Sequence, residues 1–97
     1  MKQNKDVLEQ NHRWYFEKSF SCSEKYDQFI NWLGVEFYFF QQEHGSDFTI
    51  YFPNGQVQVK REEELDATLV SKIMVESKCR KVGAKIKKTL SDFLDHI

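Results

Sequence analysis

Residues 35–60 read VEFYFFQQEHGSDFTIYFPNGQVQVK, and this stretch decides the fold. Phe48, Ile50 and Phe52 alternate with Thr49 and Tyr51, and Val57 and Val59 alternate with Gln56, Gln58 and Lys60. Alternation with period two marks strands whose two faces meet different surroundings. Between them, Pro53-Asn54-Gly55 is tight-turn chemistry: proline pre-sets φ, and Asn-Gly tolerates positive φ. Residues 35–43 carry a similar alternation, with Val35, Phe37 and Phe39 on one side and Glu36, Tyr38, Phe40 and Gln42 on the other. His44-Gly45-Ser46 supplies the turn that follows. The expectation is a meander of three antiparallel strands.

Working outward toward the N-terminus, residues 13–20 (RWYFEKSF) are aromatic and strand-like. Trp14, Phe16 and Phe20 share one parity; Tyr15 and Glu17 share the other. Ser21 and Glu24 have capping-box spacing. Behind them Tyr26, Phe29, Ile30 and Leu33 lie on one helical face, and Gly34 suits a left-handed cap. Residues 1–11 are polar and read as a tail.

Toward the C-terminus, Glu62-Glu63-Glu64 reads as a solvated loop leading into a helix. Residues 66–97 are helical in composition. Val75, Cys79, Val82, Ile86, Leu90, Phe93 and Ile97 make one stripe, while Leu69, Val70 and Ile73 lie opposite it. Either the chain breaks within residues 76–81, or a helix about 45 Å long offers two faces. Gly83 favours a break. The expected fold is α+β and forms a single small domain over residues 1–97. Its three- to four-stranded antiparallel sheet, in the order β-α-β-β-β-α, carries a short helix and a long or broken C-terminal one. From Ser21 onward, this order is similar to that of double-stranded RNA-binding domains. The likeness is one of topology, without their signature loop and with Lys85, Lys87 and Lys88 deep in the final helix.

Composition bounds the function. At 97 residues, 40% hydrophobic and 30% charged, the chain has material for one core and is not of disordered type. No apolar run reaches the ~18 residues of a membrane span, and no apolar segment follows Lys2 and Lys5. A cytoplasmic protein with two free thiols, Cys22 and Cys79, is therefore expected. His12, His44 and His96 have no partner at metal-ligand spacing. A nucleophilic Cys22 would need His12 or His44 beside it. Adjacent His44, Ser46 and Asp47 diverge on a turn and form no relay. Glycine-rich phosphate loops and nucleophile elbows are missing from the sequence, so no catalytic residue, metal or cofactor is expected.

Two binding surfaces are expected instead. Fourteen of the fifteen aromatic residues fall within residues 14–52. With one side of the meander turned to the helices, Tyr38, Phe40 and Tyr51 would face away, joined by Tyr15 or Trp14 according to register. Val82, Ile86, Leu90 and Phe93 would give the final helix an apolar docking face. The second surface is electrostatic. Residues 72–88 hold seven cations against Glu76 alone, a net +6, while residues 1–71 carry −5 and residues 89–97 carry −2. Lys78, Lys81, Lys85 and Lys88 form a stripe, with Arg80 and Lys87 on its other flank. The first surface predicts a non-enzymatic interaction module that docks on another protein or pairs as a homodimer. Inhibitors, immunity proteins, antitoxins and adaptors of phage or plasmid origin are of this kind. The alternative is a nucleic-acid-binding protein that uses the basic segment.

Overall fold

The computed structural model describes residues 11–63 and 68–96. Strand β1 (His12–Phe20) leads to helix α1 (Ser23–Glu36). Strands β2 (Gln41–His44), β3 (Asp47–Phe52), β4 (Gly55–Glu63) and β5 (Leu69–Ser77) follow, and helix α2 (Arg80–Leu94) ends the chain. The five strands form one antiparallel sheet in the order β1-β5-β4-β3-β2. The fold is α+β as expected, but with one strand more. The fifth strand also removes the likeness to double-stranded RNA-binding domains.

The β3–β4 hairpin forms as its alternation dictates. Ile50 pairs with Val57 and Phe48 with Val59, and all four are buried on the helix-covered side. Asn54 takes φ 65° in the turn. Gly55 serves a different need: a Cβ there would run into the Glu76 carbonyl and the Phe52 ring. A side chain at this point would push β5 off β4.

Residues 69–77, expected to be helical, are instead the central strand β5. Leu69, Ser71, Ile73, Val75 and Ser77 alternate inward and are buried between β1 and β4. Two serines on the inner face and Val70 and Met74 on the outer face blur the alternation. The break expected within residues 76–81 is real, and Ser77 makes it. Its Oγ accepts from Cys79 N–H at 3.0 Å and donates to the Cys79 carbonyl at 2.8 Å, turning the chain into α2. Glu62 and Glu63 belong to β4 rather than to a loop. Glu64, the start of the 66–97 segment, Ile97 and nearly all of the 1–11 tail lie outside the described residues.

Three further expectations are corrected. Of the strand expected over residues 35–43, only residues 41–43 are strand. Helix α1 runs through Gly34 to Glu36, residues 37–40 turn, and β2 begins at Gln41. The capping box does not form, because α1 starts one residue late: Cys22 is the N-cap and makes no side-chain cap bond. Gly34 is therefore interior to the helix. The C-terminal carbonyls are satisfied from outside, since Gln42 Nε2 donates to the Gly34 carbonyl at 3.2 Å and to the Phe37 carbonyl at 3.0 Å.

Both helices add to the core beneath the sheet. Tyr26, Phe29 and Leu33 come from α1, and Leu90 and Leu94 from α2. Each fully buried Leu or Phe contributes about 1.5–3 kcal/mol. The helices lock together where Trp32 stacks on Phe93, with ring centroids 3.9 Å apart and planes 7° apart. Gly83 lets α2 approach β1, since a Cβ there would meet the Trp14 ring. No helix of the described residues is long and apolar enough to cross a membrane.

Candidate functional site

The aromatic residues of the sequence separate into three groups. Register places Trp14, Phe16 and Phe20 inward on β1 and Tyr15 outward. Among the described residues, only Tyr15 and Tyr51 present rings on the outer side of the sheet. Tyr51 is half covered, and its hydroxyl donates to Glu43 at 2.7 Å, which raises its pKa.

That outer side is a lattice of cross-strand rungs. Arg13, Glu76 and Gln56 lie abreast on β1, β5 and β4; Tyr15, Met74 and Gln58 form the next rung, and Glu17, Lys72 and Lys60 the one after. Together they line a shallow groove of about 610 Å³. Its chemistry is self-contained. Arg13 Nε meets Glu76 Oε2 at 2.7 Å, and Gln56 Nε2 donates to Glu76 Oε1 at 2.8 Å. Hydrogen bonds from Asn11, Gln56 and Arg13, with the Arg13 charge, hold the Glu76 carboxyl down at about 2 against the opposing effect of burial. Lys72 pairs with Glu62 at 3.1 Å. The Arg13–Glu76–Gln56 contacts tie β1, β5 and β4 together across this side.

The third group is the turn between α1 and β2. Phe37 and Phe40 point into the molecule: Phe37 lies against Trp32, and Phe40 against Phe37 and Phe52, at centroid distances of 6.2–6.4 Å. Tyr38 and Phe39 point out, 65% and 83% exposed, with their rings 4.2 Å apart. Val35, one turn earlier, is 73% exposed. The backbone beneath them is fixed. Phe37 N–H donates to the Leu33 carbonyl at 3.0 Å and Phe40 N–H to the Phe37 carbonyl at 2.9 Å, beside the two Gln42 bonds. The result is a hydrogen-bonded ledge carrying three large apolar side chains into water.

The expected interface residues are thus not brought together. Tyr38 is on the ledge, Phe40 is under it, and Tyr51 is on the outer face of the sheet. Leu90 is fully buried, Ile86 and Phe93 are half-buried against the core, and Val82 alone of the α2 set is exposed. Val35 and Phe39 were expected to face the core. The signal for the ledge was present nonetheless: Leu33, Phe37 and Phe40 continue the α1 stripe at spacings of four and three.

Helix α2 turns most of its apolar stripe inward and shows its cations. Lys78, Arg80, Lys81, Lys85 and Lys88 are exposed, and Lys87 is half-buried. Lys88 Nζ pairs with Asp92 at 2.8 Å, which raises its pKa.

The fold does not bring Cys22 beside His12 or His44. Cys22 and Cys79 are free thiols at the N-caps of the two helices. His12 lies at the opposite end of β1 from Cys22, and His44, on the far edge strand, packs against Phe48. Among the described residues, no three His, Cys, Asp or Glu side chains are grouped to hold a metal ion. A search of family models, curated proteins and solved structures finds no match to this chain.

Proposed function

We propose that the protein is a non-enzymatic interaction module that docks through the ledge formed by Val35, Tyr38 and Phe39. The observation that carries this reading is the combination of exposed side chains and a hydrogen-bonded backbone. Exposed rings normally lose side-chain and backbone freedom when a partner covers them. Here the backbone is already held by Gln42 and by the half-buried Phe37 and Phe40, which pack against the core. Tyrosine and phenylalanine at such a point are the anchors that interface cores favour. The partner is another protein or a second copy of the chain.

The test is a photoreactive phenylalanine analogue at Phe39, irradiated in the cell that makes the protein, with Lys25 on α1 as the comparison position. One stoichiometric adduct from Phe39 and none from Lys25 is expected; its mass tells a homodimer from a foreign partner. No adduct, or the same adducts from both positions, would contradict the reading.

A further inference from the structure

We propose that α2 binds the phosphate backbone of duplex nucleic acid along the row Lys81, Lys85 and Lys88, extended by Lys78 and Arg80. The row lies at i, i+4 and i+7 on the side of the helix opposite Gly83 and Leu90, so it points straight out from the core. Ala84 is the neighbouring residue on that side. At 1.5 Å per residue the three lysines span about 10 Å, long enough to follow several phosphates along a duplex backbone.

Three features favour this ligand. Among the described residues, no acidic side chain pairs with Lys78, Arg80, Lys81, Lys85 or Lys87; only Lys88 has a partner, Asp92. The order of charge along the helix reinforces its dipole, with cations and no acid in the first turn. Such an arrangement is unfavourable in the free chain and is relieved when an anion arrives. Finally, the row contains no aromatic or branched aliphatic side chain. A protein interface draws its strength from such groups, whereas a phosphate backbone needs only point charges that release its counterions.

The experiment is fluorescence anisotropy with labelled 20-base-pair DNA and RNA duplexes, titrated with the full chain at 50–200 mM salt. About four phosphate contacts predict a log–log salt slope near −4, a loss of about two orders of magnitude in affinity over that range. K81A/K85A/K88A should weaken binding at least tenfold and cut the slope by about three, with its circular dichroism unchanged. The alanines suit the helix and lie outside the core; K81E/K85E/K88E should abolish binding. Tighter binding of one duplex identifies the favoured nucleic acid. No binding of either duplex at 50 mM salt, a flat salt dependence, or unchanged affinity in the alanine variant would overturn the proposal. So would polyglutamate of equal charge binding as tightly as the duplexes, which would assign the row to an acidic protein segment.

Discussion

The two helices share one face of the sheet and end their apolar stripes in opposite ways. Helix α2 turns Gly83, Leu90 and Leu94 entirely inward and gives solvent its lysines. Helix α1 buries Tyr26, Phe29 and Leu33, then carries Val35, Tyr38 and Phe39 out beyond the core. The difference teaches that the exposed rings are not overflow from a core too small to hold them. The same core accommodates the last two turns of α2 and the stacked Trp32–Phe93 pair. The ledge is a local construction, set by a turn in which Phe37 and Phe40 face in and their neighbours face out.

The contrast is broken most severely on the α2 side. Leu90→Ala should cost about 2–5 kcal/mol, because truncating a fully buried side chain leaves a cavity. Equilibrium denaturant unfolding would show it as a lower midpoint at unchanged slope.

Acid comes next, and it acts on the sheet rather than on either helix. The folded pKa of Glu76, about 2, lies below its ordinary 4.5. Its bonds to Asn11, Gln56 and Arg13 therefore stabilise the fold above pH 4.5 and are lost as pH falls from there toward 2. Allowing for solvent screening at the half-exposed Arg13, about 2 kcal/mol should disappear over that window. Unfolding followed against pH checks this, and Glu76→Gln should flatten the profile.

A smaller effect sharpens the account of the ledge. Gln42→Ala removes both bonds to the end of α1 and should cost about 1 kcal/mol. Amide hydrogen exchange should quicken at Phe37 and Phe40 while the α2 amides keep their protection.

The same contrast explains what the sequence made legible. The β3–β4 hairpin, β1 and the buried face of α1 were readable because each keeps one period throughout. The C-terminal third was not. Val75 continues the α2 stripe by accident of spacing, and Ser71 and Ser77 occupy inward positions where an apolar residue would have announced a strand. Ser77 is retained there by the turn it makes with Cys79. The ledge was missed for a related reason. Four consecutive apolar residues, 37–40, satisfy strand alternation and helical spacing equally well, and only the tertiary contacts of Phe37 and Phe40 with Trp32 and Phe52 decide between them. The cationic row was legible because charge on an exposed helix follows from helical spacing alone, once the helix is placed.

The smallest stability effect belongs to the ledge itself, and it gives the most direct test. The double variant Tyr38→Ser/Phe39→Ser, carrying the photoreactive analogue at Val35, should unfold within about 0.5 kcal/mol of the parent, as surface changes do, and should lose the adduct the parent forms from that position. An adduct that survives the double change, or a stability loss of several kcal/mol, would contradict the account: the first removes the rings from docking, and the second makes them part of the core.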